Sequence, residues 1–342
     1  MDPATRDNLA QPPEAKELAF RDAVEPEGAI DFHAHWWSQG LLDSVSELQG
    51  TDGLQARFIP PPAITHADDV FDLHARIALM DEAGIAAQVL SGSNVGHEDP
   101  RVAAELRRCN NDGLSEACRS HPGRFRFFAS LPLPFVDESL VEADRAHRLF
   151  GFAGFVLPTH VHGTALDADG LSPLFEQLNE RGHLVSLHPD GFRAQDLLGD
   201  WMMDWSIGAP FEDTIAAVRL ICSGRLQQFP EIRWIVPHLG GCLPVLVQRM
   251  DSMWPAFGKM LGTSAPISSY LGSLNFDTAA SSVETLALAA TVLSPSAFVL
   301  GTDFPFLERD NLQPAVRRVR ECSVLGGERS ENALRADELL RT

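Results

Sequence analysis

"AIDFHAHWW", residues 29–37, is the stretch on which the fold turns. A short apolar run leads into two histidines separated by one residue, then into two tryptophans. An open doubly wound sheet would place a glycine-rich phosphate loop after its first strand. No GxGxxG follows here, and the run ends in imidazoles. The alternative is a barrel, in which the end of each strand carries chemistry.

Seven further short apolar runs extend the pattern: "AAQVLS" (86–91), "FRFFASL" (125–131), "AGFVLP" (153–158), "LVSLH" (184–188), "RWIVPH" (233–238), "LNFDT" (274–278) and "AFVLG" (297–301). Most are followed by a stretch with helical spacing, such as "DDVFDLHARIALMDEAG" or "DTIAAVRLICSGRLQQFP". Nearly unbroken apolar strands alternating with helices indicate a parallel sheet covered on both faces. Eight such units predict an α/β fold of the (β/α)8 TIM-barrel type. The predicted organisation is an N-terminal arm over residues 1–27 and one barrel domain over 28–342. Loop insertions are expected near 36–66 and 191–210, the second being aromatic-rich and a candidate lid or oligomer contact.

The strand ends repeat a polar theme: His33 and His35, then Thr159, His160 and His162, then His188, His238, Asp277 and Asp303. Residues two apart on a strand project to the same side, so His33 and His35 can reach one ion. His188 and Asp303 would close the set. Three neutral imidazoles and one carboxylate suit a divalent metal, Zn2+ first, with Mn2+, Fe2+ or Co2+ also compatible. No organic cofactor is expected. Trp36 and Trp37 are candidates for a substrate wall or for packing at the barrel rim. His160 and His162 are candidates to line the pocket. His66, His74, His97, His121, His147 and His183 are expected to be helix or loop residues without a role in the site.

Composition narrows the partners. With 27 basic and 47 acidic residues the chain carries a net charge of −20, which would repel a phosphate backbone, so no nucleic-acid binding is expected. No apolar run approaches 18 residues, which excludes a membrane helix. The polar, acidic N-terminus predicts no signal peptide. Five scattered cysteines without CxxC spacing fit thiols in a reducing cytoplasm.

At these residues the chain resembles the amidohydrolase superfamily. Within it, the chain is similar to the branch of aminocarboxymuconate-semialdehyde decarboxylase and the decarboxylases of γ-resorcylate and 5-carboxyvanillate. The matching stretches are "DFHAH" (31–35), "ARIALMDEAGI" (75–85), "GFAGFVLPTHVHG" (151–163), "LHPD" (187–190), "FPEIRWIVPHLGG" (229–241), "VQRMD" (247–251), "NFDTA" (275–279) and "GTDFPF" (301–306). The resemblance implies metal ligands His33, His35, His188 and Asp303, and His238 as the acid/base. It implies that Arg249 contacts the substrate carboxylate across a homodimer interface.

Two departures matter. Binuclear relatives bridge their metals with a carboxylated lysine on strand four, but Lys16 and Lys259 are the only lysines, so one metal ion is expected. The carboxylate-binding arginine of the aminocarboxymuconate-semialdehyde enzyme has no counterpart at the matching spacing in "FIPPPAITHADD"; Arg57, further upstream, is a candidate to take its place. That loop, with Trp201 and Trp205, suggests a more apolar, aromatic substrate. The reading is a metal-dependent non-oxidative decarboxylase of a small aromatic or unsaturated acid, with Asp303 or His238 delivering the proton. Hydrolysis of a lactone, amide or ester, or hydration of a double bond, needs the same ligands and remains the alternative. A barrel turned binding scaffold would lack a ligand, and none is missing.

Overall fold

The computed structural model describes residues 28–56, 72–92, 95–161, 163–191, 198–307 and 311–340. The N-terminal arm, Arg57, His66, the proline-rich loop, His162 and part of the second insertion lie outside the described residues.

Eight parallel strands run in chain order around one sheet. They are β1 (Ala29–His35), β2 (Ile85–Ser91), β3 (Phe125–Ser130), β4 (Phe152–Pro158), β5 (Leu184–His188), β6 (Arg233–Val236), β7 (Leu274–Asp277) and β8 (Phe298–Val299). The sheet closes on itself between β8 and β1. There the Phe32 amide donates to the Leu300 carbonyl at 2.8 Å and the His35 amide to the Phe304 carbonyl at 2.7 Å. Helices α1 (Gln39–Leu48) and α2 (Leu73–Ala83) connect β1 to β2. Helices α3 (Pro100–Ser120), α4 (Val136–Ala146), α5 (Ser172–Glu180), α6 (Ala209–Cys222), α7 (Leu243–Phe257) and α8 (Val283–Val292) follow β2 to β7. Helices α9 (Gln313–Glu321) and α10 (Glu328–Arg335) follow β8. The predicted barrel is therefore present, with all eight strands where the apolar runs placed them.

Strand ends differ in detail from expectation. β1 continues two residues further because His35 still pairs with Ser91 of β2. β6 stops at Val236, since Pro237 has no amide to give a ladder. His238 therefore sits beyond the strand in a 3-10 turn. β8 is only two residues long, so Asp303 leaves the sheet.

The inward side chains Ile30, Phe32, Val89, Phe128, Ala153, Val156, Leu184, Ile235 and Val299 form one packed cluster inside the barrel. Leu340, in the last turn Asp337–Leu340, joins this cluster from below. Arg233 ties that turn down by donating from Nη1 to the Leu339 carbonyl at 3.0 Å. The floor of the barrel is thus apolar and sealed, which leaves the opposite end, where strands end, for chemistry. Among the described residues no helix is long and apolar enough to cross a membrane.

Candidate metal centre

The site begins with an irregularity in β1. Asp31 pairs with Gln88 and Ala34 with Leu90, so three steps along β1 match two along β2. One extra residue in a parallel strand is a bulge, and a bulge re-aims side chains. Phe32 remains in the interior apolar cluster, and the next residue, His33, turns to the mouth beside His35. The Asp31 carboxylate accepts the His33 amide at 3.0 Å, which satisfies that amide within the bulge.

Four imidazoles converge above the sheet, and each has its Nδ1 occupied. His33 Nδ1 lies 2.8 Å from Asp277 Oδ2. His35 Nδ1 lies 3.0 Å from Ser91 Oγ. His188 Nδ1 lies 2.8 Å from its neighbour, the Pro189 carbonyl oxygen. His238 Nδ1 lies 2.9 Å from Asp213 Oδ2. A carbonyl or carboxylate oxygen can only accept, so the rings of His33, His188 and His238 carry a proton on Nδ1 and turn Nε2 toward the cluster. This arrangement of outer acceptors is the one that orients metal-binding histidines.

Asp303 meets them from the loop after β8. Its Oδ1 is 3.1 Å from His35 Nε2 and 3.4 Å from His33 Nε2, while its Oδ2 is 3.7 Å from His238 Nε2. Asp303 and His238 both hold left-handed backbone, at φ 57° and 53°. Such strain in a non-glycine residue persists only where the surroundings impose it, and it concentrates at functional sites. Beside His238, a Cβ on Gly241 would collide with the Pro210 carbonyl. The "HLGG" turn therefore lies directly on the start of α6, and this contact brings Asp213 to His238.

The electrostatics are divided. Burial together with the neighbouring His35 and His33 holds His188 well below its ordinary value. Burial likewise lowers His35. Burial thus disfavours charge on both, whereas on His33 it is outweighed by Asp277 and Asp303, which raise its pKa. Burial opposes charge on His238 as well, but Asp213 and Asp303 outweigh it and raise its pKa well above the usual range. Burial pushes Asp213 up to about 6. Asp303 is held well below the carboxylate range: burial would raise it, and the His33, His238 and His35 rings overcome that.

A metal ion fits this chemistry. Ligand atoms of His33, His35 and His188 lie within 4.8 Å of one another, as do those of His33, His238 and Asp303. His33 Nε2 is buried without a hydrogen-bond partner and faces the cluster. The two groups share His33, so His35 and His188 meet it on one side and His238 and Asp303 on the other, a donor set that suits a divalent ion.

The other predicted residues fall in different places. Trp37 is completely buried and packs with Leu41, Val45, Val95 and Leu106. Its ring stacks on His35 at 6.2 Å between centroids, so the chain turns outward after β1 and Trp37 backs a ligand. Of the two readings offered for Trp37, substrate wall or packing at the rim, its burial fits packing and not the wall. Trp36 is half-buried against the main core. His160 is half-buried at the rim, 3.7 Å from Glu212 Oε2. Trp201 is 86 % exposed, on the outer surface of the chain. Arg249 is exposed on α7 and not in the cluster. Sequence reasoning missed Asp213 and Glu212. Glu212 accepts the Thr159 hydroxyl at 2.7 Å and the Asp190 amide at 2.8 Å. Both carboxylates are buried near the start of α6, Glu212 in its first turn and Asp213 next to it. Adjacent acidic residues before an apolar helix resemble ordinary N-terminal charge, so only their burial marks them.

Comparison with known proteins places these features in context. The family described as Amidohydrolase matches residues 30–322. The 2-amino-3-carboxymuconate-6-semialdehyde decarboxylase of Dictyostelium discoideum is 27% identical over 69% of this chain and 67% of its own. The gamma-resorcylate decarboxylase of Rhizobium sp. is 28% identical over 69% of this chain and 77% of its own. The crystal structure of 5-carboxyvanillate decarboxylase from Novosphingobium aromaticivorans, complexed with manganese and 4-hydroxy-3-methoxy-5-nitrobenzoic acid, superposes with a TM-score of 0.79. It covers 93% of this chain and 97% of that one at 22% identity, a likeness of fold.

Proposed function

This chain belongs to the amidohydrolase family, and from that membership we propose that it is a metal-dependent decarboxylase of a small aromatic carboxylic acid. The observation that carries the reading is the pairing of a compact ligand cluster with one histidine, His238, whose Nδ1 is held by Asp213 and whose Nε2 faces the cluster. The named relatives are decarboxylases, which favours loss of CO2 over hydrolysis on the same residues.

His33, His35, His188 and Asp303 would hold a divalent ion, which would supply Lewis-acid stabilisation of negative charge on the substrate. The protein supplies the rest. Decarboxylation breaks a carbon–carbon bond and leaves an electron pair on the ring carbon, which must take up a proton. His238 in its protonated form holds that proton at Nε2. Asp213 fixes the ring orientation and stabilises the cation. Asp303 Oδ2, near His238 Nε2, provides a second acceptor along the same line. Zn2+ suits the donor set, and manganese is present in the related structure; elemental analysis decides between them.

The remaining assignments follow from the family reading. Arg249 would reach the substrate carboxylate of a second copy. Val245, Met253 and Phe257 on the same helix are exposed, and a homodimer would cover them; sedimentation should give twice the chain mass. Free thiols at all five cysteines support a cytosolic location. The deciding experiment measures CO2 released from a panel of hydroxybenzoates beside a panel of esters and lactones. Decarboxylation of at least one hydroxybenzoate, with the esters and lactones left intact, is expected. Turnover confined to esters or lactones would replace this reading with hydrolysis.

A further inference from the structure

Behind the ligands lies a buried polar chain that no step of the reaction uses. Asp31, Arg76, Gln88 and Thr302 are all 0% exposed. Asp31 Oδ1 accepts the amides of His33 and Thr302, each at 3.0 Å. Its Oδ2 accepts Thr302 Oγ1 at 2.7 Å and Gln88 Nε2 at 2.8 Å. Gln88 Oε1 in turn accepts Arg76 Nη1 at 3.4 Å. Arg76 Nη2 donates to the His35 carbonyl, and the guanidinium lies 4.5 Å above the Phe304 ring.

Each contact falls on backbone that carries a ligand. The Asp31 carboxylate holds the His33 amide in the bulge and the Thr302 amide next to Asp303. Arg76 holds His35 from its carbonyl and packs on the residue after Asp303. Gln88 joins the two charges across β2. An ion pair separated by one amide inside an apolar barrel wall is weak evidence of added stability, since apolar side chains of the same size often do as well. It does specify geometry, because each partner leaves a buried group unpaired when another moves.

We propose that Arg76, Gln88 and Asp31 are positioning residues that set the spacing of His33, His35 and Asp303 at the point where the barrel closes. The proposal rests on the metal reading of the cluster. It assigns a role to the arginine of "ARIALMDEAGI" and the aspartate of "DFHAH", far apart in sequence and joined by one glutamine.

The test is metal binding by the folded, metal-stripped chain, read by Co2+ affinity and the visible absorption of the Co2+ form. Gln88→Met keeps the volume and removes both hydrogen bonds. Its Co2+ affinity should fall by about tenfold to a hundredfold, the range of outer-partner losses at metal sites, with a shifted absorption band. A folded Gln88→Met chain with wild-type affinity and spectrum overturns the proposal, since a purely structural role would lower only the melting temperature. Should Gln88→Met fail to fold, Thr302→Val and Thr302→Ser decide. Loss of affinity in the valine variant with recovery in the serine variant supports the network, and equal behaviour of the two overturns it. A wild-type chain that takes up no metal would instead remove the metal reading itself.

Discussion

The two ends of the barrel treat histidine in opposite ways. At the mouth, His33, His35, His188 and His238 each have Nδ1 against a named oxygen, which leaves Nε2 facing the cluster. At the floor, His147 and His183 lie 6.1 Å apart with both Nδ1 atoms buried and without a hydrogen-bond partner. There His183 packs edge-on against Phe152 and Phe155. Burial, aided by the nearby His147, Arg181 and Arg233, pushes it down to about 4. An imidazole with one nitrogen held is ready to bind or to transfer a proton with the other. An imidazole with neither role is a packing residue that resists charge. The difference lies in the second nitrogen rather than in burial, which both groups share.

That contrast can be broken at the mouth first. Replacing His238 with Ala should lower turnover by about 10²–10⁴-fold, the usual worth of a positioned acid or base, while metal content stays at the wild-type level. Full activity in this variant would remove His238 from the chemistry. Asp213→Asn keeps the shape but no longer stabilises the imidazolium, and a loss of about tenfold to a hundredfold in kcat is expected, by analogy with outer partners of ligand histidines. Unchanged kcat and an unchanged pH profile would make Asp213 a packing residue.

The floor should respond in stability alone. Leu340→Ala opens the apolar plug and should cost about 2 kcal/mol in denaturant unfolding, with metal affinity untouched. A matching drop in metal affinity would show that the two ends are not independent. A further effect at the floor concerns acid. The unfolded chain protonates His183 near the ordinary value of 6.5, whereas the folded chain resists until about 4. The unfolded state therefore binds more protons in this window, and stability falls as pH drops through it. In His183→Leu that part of the acid slope should vanish from melting curves between pH 7 and 4. An identical slope would mean that another group is responsible.

The barrel was legible in the sequence because parallel strands buried on both faces read as short apolar runs, and all eight showed. The meeting of His33, His35, His188, His238 and Asp303 was legible for a related reason: strand ends converge in a barrel, so polar residues at or just beyond equivalent ends meet. What stayed hidden depended on register and on side chains arriving from elsewhere. The bulge between Asp31 and Ala34 exists only in the pairing of two strands, and no property of "AIDFHAHWW" alone reports it. Asp213 reaches His238 from α6, the helix between β5 and β6, through the close seat of "HLGG" on Pro210. Trp37 was ambiguous by proximity: it follows the ligands in sequence, but its large apolar ring packs outward with α1 and α3. Trp201 and Arg249 lie on the outer surface of the chain, where a single sequence carries no signal of what they meet.

The central claim is that His33, His35, His188 and Asp303 together hold one divalent ion. Stripping the purified chain with a chelator and titrating Zn2+ or Mn2+ back, with stoichiometry read by calorimetry and elemental analysis, tests it most directly. One equivalent per chain is predicted, lost on His33→Ala and on Asp303→Asn. No uptake, or uptake unaffected by both substitutions, would contradict it.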